Sequence, residues 1–74
     1  MKRTELKAER IKQGKSGSYM ANLIHRSYSM YSKKERGEFD FSLKEIVTIS
    51  NDLKLTLPQI NAIFFESELT RWQV

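Results

Sequence analysis

Apolar residues recur along this chain at the three- and four-residue spacing of helices, and no alternation of period two is sustained for more than a few residues. The pattern predicts an all-helical fold. Thr4 is placed to cap a first helix running to about Gln13, with Leu6 and Ile11 as its apolar contacts and Gly14 as its end. Ser16 opens a second helix over residues 17–24, where Tyr19, Met20, Ala21, Leu23 and Ile24 follow the i, i+3, i+4 pattern. His25 and Arg26 interrupt it. Ser27 is suited to cap a third helix from Tyr28 to Glu35, and Gly37 is the natural left-handed residue beyond it. Ser42 and Glu45 form an S-x-x-E capping box ahead of Leu43, Ile46, Val47, Ile49 and Leu53, with Phe41 and Ile46 positioned to staple the entrance. Leu55 and Leu57 lead to Pro58, which a first helical turn accepts, and Ile60, Ala62, Ile63 and Phe64 give a fifth helix its apolar side.

Composition narrows this picture. A chain of 74 residues with 39% apolar side chains forms one domain, residues 1–74, because so short a sequence buries only about 60% of its unfolded surface in a single core. Multi-domain enzymes are excluded. There is no cysteine, so neither disulfides nor thiolate zinc sites hold the fold together. No apolar run approaches the roughly 20 residues of a membrane span, and no signal-peptide core is visible at the start, so a cytoplasmic protein without a membrane partner is expected. Repeats, low-complexity stretches and Gly/Ser linkers are also lacking.

Catalytic chemistry finds little to work with. His25 is the single histidine and has no second His or Cys near it, so a helix-ending turn role fits it better than metal ligation or proton transfer. The carboxylates show no paired-acid spacing, and no phosphate-cradling Gly loop or activated nucleophile occurs. The expectation is a non-enzyme with no cofactor, no metal and no small-molecule substrate.

Charge is more informative. Residues 1–37 carry ten basic against three acidic groups, a net +7, whereas residues 38–74 carry a net −3. A solvated basic surface gives the same count, but a polyanion also suits the first half. Residues 16–37 then read as a helix-turn-helix: two short helices flank a turn, and the second exposes small polar and basic groups. Ser27, Tyr28, Ser29, Ser32 and Lys33 share one face at helical spacing and are candidates to meet base edges in a major groove. Lys34 and Arg36, with Arg26, Lys2 and Arg3, are candidates to neutralise phosphates.

The run Tyr31-Ser32-Lys33-Lys34-Glu35-Arg36-Gly37, preceded by Met20-Ala21 and followed by Phe41-Ser42-Leu43-Lys44-Glu45-Ile46, resembles the Cro/repressor-type (XRE-like) helix-turn-helix family of bacteria and phages. The likeness spans roughly residues 4–66, and Leu55 to Phe65 is similar to the last helix of small phage Cro-like regulators. It implies a compact five-helix domain with the lambda-repressor-like DNA-binding fold. In it, Ala21 is the small residue where two helices cross, Tyr31 anchors the recognition helix, and Glu35 and Gly37 close that helix. The chain departs from the pattern at three positions. Gly17 stands where the family commonly has a Gln that touches phosphate, leaving only its backbone N–H for that contact. His25 occupies the turn position the family gives to Gly, which predicts a positive φ at a residue with a Cβ. Arg26 replaces an aliphatic residue, so either it reaches outward to a phosphate or a partner, or the turn differs from the family's.

Near the end, the adjacent Phe64 and Phe65 point about 100° apart on a helix and cannot both face inward equally. Phe65, Leu69 and Trp72 are therefore candidates for a protein interface within residues 58–74. The leading expectation is a phage-type transcriptional repressor that binds operator double-stranded DNA through residues 27–36, as a homodimer on a palindrome, in the cytoplasm of a bacterial host. The alternative is an antirepressor or modulator that uses the same scaffold to bind a phage repressor protein.

Overall fold

A computed structural model describes residues 3–65, and all regular structure in them is helical. The elements are α1 (Arg3–Lys12), α2 (Gly17–Leu23), α3 (Tyr28–Glu35), α4 (Leu43–Asp52) and α5 (Leu57–Ile60), which runs on into a π-helical turn, Asn61–Phe65.

Local chemistry sets nearly every boundary. Ser16, Ser27, Ser42 and Thr56 each sit at an N-cap in extended backbone, and each hydroxyl oxygen accepts the N–H of the residue three positions on. Glu45 and Gln59 reach back to the N–H groups of Ser42 and Thr56, at 2.9 and 2.8 Å, completing two capping boxes. The helix ends are equally uniform. α1 to α4 all finish in a left-handed residue, namely Gly14 (φ 72°), His25 (φ 58°), Gly37 (φ 88°) and Lys54 (φ 54°). At each, paired 5→2 and 6→1 backbone hydrogen bonds close the last turn, as in His25 N–H to Asn22 O (3.2 Å) and Arg26 N–H to Ala21 O (2.9 Å). The connections at 13–16, 24–27 and 53–56 are thus one repeated unit: a final turn residue, a left-handed residue, a linker and an N-cap. The positive φ anticipated at His25 is present.

The core gathers Leu6 from α1, Met20, Ala21 and Ile24 from α2, Tyr31 from α3, Phe41, Ile46, Ile49 and Leu53 around α4, and Ile63 and Phe64 from the π turn. Its aromatic spine runs from Tyr31 to Phe41 (centroids 6.1 Å apart) and on to Phe64, which meets Phe41 edge-on at 5.7 Å. α2 packs against α3 and α4, and α1 packs against α3 and the π turn. The π turn solves a register problem, because a wider i→i+5 turn rotates each residue by less than the roughly 100° of an α-helix. The neighbours Ile63 and Phe64 can then both be buried, at 2% and 1% exposure, while Phe65 remains half-buried.

Several expectations are corrected here. α1 begins at Arg3, so Thr4 lies inside its first turn and does not cap it. Ile11 is 58% exposed, because Leu6 alone on α1 reaches the buried cluster. Leu43 and Val47, one turn apart on α4, are 71% and 50% exposed, because the inward side of that helix is taken by Glu45, Ile46, Ile49 and Ser50. Among the described residues no helix is long and apolar enough to cross a membrane.

Candidate nucleic-acid interface

The roll of α3 about its axis decides which of its side chains face outward. Tyr31 fixes it first. This residue is 1% exposed, and its hydroxyl donates to Glu35 Oε2 at 2.7 Å, a carboxylate that also receives Arg10 Nε of α1 at 2.9 Å. Arg10 then spends Nη1 on the Lys15 carbonyl, so one chain of contacts ties α1, its connection and α3 together. Burial, and then the bond to Glu35, push the Tyr31 hydroxyl well above its ordinary pKa. The bond to Glu35 raises that of Arg10.

Lys34 fixes the roll a second time, from the next turn of the same side. Its Nζ lies 2.6 Å from Glu45 Oε1, and both side chains are less than a tenth exposed. Arg26, in the connection before α3, donates Nε to the other oxygen of Glu45 at 2.7 Å while half of its side chain stays in water. The Ser42 N–H completes the set. Burial alone would raise the Glu45 pKa, but the bonds from Lys34, Arg26 and Ser42 outweigh it and hold the carboxyl at about 2. Glu45 is therefore where the turn, α3 and α4 meet.

These contacts correct one expected phosphate ligand. Lys34 does not stand beside Lys33 and Arg36; it is turned inward, one helical turn from Tyr31 and on the same side, where the buried Glu45 carboxylate holds it. Arg26, expected either to reach outward to a phosphate or a partner or to mark a different turn, pairs with Glu45 of the chain itself and keeps half of its side chain in water.

The outward face of α3 and its C-cap consists of Tyr28, 60% exposed, Ser29 and Arg36, with the half-buried Ser32 and Lys33 between them. Ser27 is exposed as well, although its oxygen is occupied as the cap of α3 and accepts from Met30 N–H at 3.1 Å. Arg36 lies over this face, donating Nη1 to Ser32 Oγ at 2.6 Å and Nε to Glu38 at 2.7 Å, an ion pair more than half in solvent. Lys33 Nζ sits 6.0 Å from the Phe39 ring centroid and has no carboxylate partner among the described residues. Tyr28 and Ser29, Ser32 and Lys33, then Arg36 follow one another at successive turns, so the expected base-reading residues do share a face.

Gly17 lies at the start of α2, directly beside this face. A Cβ there would fall 2.6 Å from Tyr28 Cε1, so the tyrosine ring rests against the glycine α-carbon across the two helix starts. Sequence reading missed this contact and the Glu45 cluster alike. The available signals were the Gly at a helix start and the three-residue offset of Lys34 from Tyr31.

At the start of α2 Lys15 Nζ bonds Asp52 Oδ2 at 2.8 Å, and the Tyr19 hydroxyl donates to Asp52 Oδ1 at 2.8 Å. Lys15 pulls the Asp52 pKa below its ordinary value. Among the described residues no group of His, Cys, Asp and Glu is arranged to hold a metal ion. Phe65 is half-buried and meets Phe64 edge-on at 6.5 Å, whereas Leu69, Trp72, Lys2 and the Arg3 side chain lie outside what the structure describes. Compared with known protein families, curated proteins and solved structures, the chain matches none.

Proposed function

We propose that this protein is a small transcriptional regulator of the helix-turn-helix type, with a lambda-repressor-like arrangement in which α3 enters the major groove of duplex DNA. The observation that carries the reading is the division of α3: Tyr31 and Lys34 are locked inward, so Tyr28, Ser29, Ser32, Lys33 and Arg36 face out together. A helix this exposed, carrying short hydroxyls, one aromatic ring and two cations, can approach base edges while its cations meet the flanking phosphates. Two copies paired through Phe65 and the segment holding Leu69 and Trp72 would set two such helices about 34 Å apart, the spacing of half-sites one duplex turn apart. Titration of a labelled random-sequence duplex pool at several salt concentrations tests it. Binding whose logarithm falls linearly with the logarithm of salt supports the reading, and no binding at low salt ends it.

A second reading, a modulator that grips a repressor protein with the same face, is favoured by one observation. Lys34, Arg26 and Arg36 all bond carboxylates of the chain itself, which leaves Lys33 as the cation of α3 without such a partner among the described residues. On that reading the chain binds a repressor one-to-one and no duplex.

A further inference from the structure

We infer that Gly17 is a positioning residue that seats the Tyr28 ring, and that the seated ring reads a thymine methyl group; the second half rests on the duplex-binding reading above. Gly17 lies in a helix and lacks the positive φ of Gly14 and Gly37, so its backbone does not require glycine. On propensity alone an alanine would be better there. What an alanine would displace is the tyrosine, since its Cβ would sit 2.6 Å from Cε1, 3.4 Å from Cδ1 and 3.6 Å from Cζ. Tyr28 is 60% exposed and outside the buried core, so the substitution displaces the ring toward solvent while the core stays intact.

Gly17 lies against the Cδ1–Cε1–Cζ edge of the ring, and Tyr28 remains 60% exposed. It is the single large apolar group that α3 exposes, flanked by the short Ser27 and Ser29. Within the major groove the thymine C5-methyl is the apolar feature that such a surface matches. A ring held in place by a neighbour loses little freedom on contact, which is what makes a weak apolar contact discriminating.

The test has a part that needs no DNA. In the free protein, nuclear Overhauser contacts between the Gly17 α-protons and the Tyr28 ring protons are expected. Gly17→Ala should shift the ring resonances, and should raise the melting temperature more in a Tyr28→Ala background than in the wild type, because only there is the alanine methyl unopposed. Absent contacts, or an equal effect of Gly17→Ala in both backgrounds, would overturn the positioning role. For recognition, duplexes enriched from a random pool by the wild type would have their thymines replaced one at a time by deoxyuridine. One position should lose about fivefold or more in affinity with wild type and with Tyr28→Phe, lose nothing with Tyr28→Ala, and lose less with Gly17→Ala. A uniform indifference to deoxyuridine, or dependence on the hydroxyl that Tyr28→Phe removes, would overturn the thymine assignment. If the wild type enriches no duplex at all, the DNA reading and the thymine assignment fall together, while the spectroscopic arm still decides what Gly17 does.

Discussion

Replacing His25 by glycine should stabilise the protein, and the size of the gain can be worked out from the backbone. His25 holds φ 58° at the end of α2, in a turn closed by two backbone hydrogen bonds that glycine would retain. A residue with a Cβ in the left-handed region costs about 1–2 kcal/mol, with histidine toward the cheaper end. Glycine's extra freedom in the unfolded chain takes back about 0.5–1 kcal/mol. The net gain is about 0.5 kcal/mol, which in a domain of this size raises the melting temperature by about 2–4 °C. Lys54 offers an internal comparison, since it has φ 54° in the same kind of turn and lysine lacks histidine's tolerance of that region. Lys54→Gly should therefore gain at least as much. Gly14→Ala is the reverse case: φ is 72° and a Cβ there meets nothing within 4 Å, so its loss of about 1 kcal/mol is purely conformational. Thermal unfolding followed by circular dichroism, with all three variants side by side, reads these shifts. Lower melting temperatures for both His25→Gly and Lys54→Gly would refute the assignment of left-handed strain to these two turns.

Other outcomes concern the Glu45 cluster and the face it sets. Glu45→Ala removes the acceptor of two cations and an N–H and should cost about 3–5 kcal/mol in urea unfolding, whereas Arg26→Ala, a half-exposed partner, should cost under about 1 kcal/mol. Because the folded Glu45 pKa is lowered from 4.5 to about 2, its contribution is complete above pH 4.5 and is lost as pH falls toward 2, an effect of about 3 kcal/mol that urea titrations across pH should show in the wild type and not in Glu45→Gln. In duplex binding, Lys33→Ala and Arg36→Ala should each reduce the logarithmic salt slope by about 0.9, while Lys34→Met should leave the slope unchanged because Lys34 faces Glu45.

The helix starts were legible because Ser16, Ser27 and Ser42 announce themselves by chemistry confined to four residues. Gly14 and Gly37 announced two ends in the same way. Thr56 with Gln59 carried an equally local signal and went unread beside Pro58. Lys54 gave no signal, since nothing about a lysine marks a left-handed turn; only the path of the chain from α4 to α5 requires one. The π turn was hidden for a related reason. Ile63, Phe64 and Phe65 fit an α-helix locally, and only competition for one core makes the wider turn favourable. At the candidate interface, Tyr28, Ser29, Ser32 and Lys33 were found by spacing alone, because helical geometry fixes which neighbours share a side. Lys34 was misplaced because its partner, Glu45, lies eleven residues away on another helix. Charge counted along a sequence does not reveal which cations the fold neutralises.

The most direct test is a backbone amide NMR titration of the folded protein with a short mixed-sequence duplex at low salt. If α3 enters the groove, the shifts should concentrate at residues 27–29, 32, 33 and 36 and at Gly17, with Lys34, Glu45 and the exposed Leu43–Val47 side of α4 little changed. Shifts centred on that side of α4, or no shifts at any duplex concentration, would contradict it.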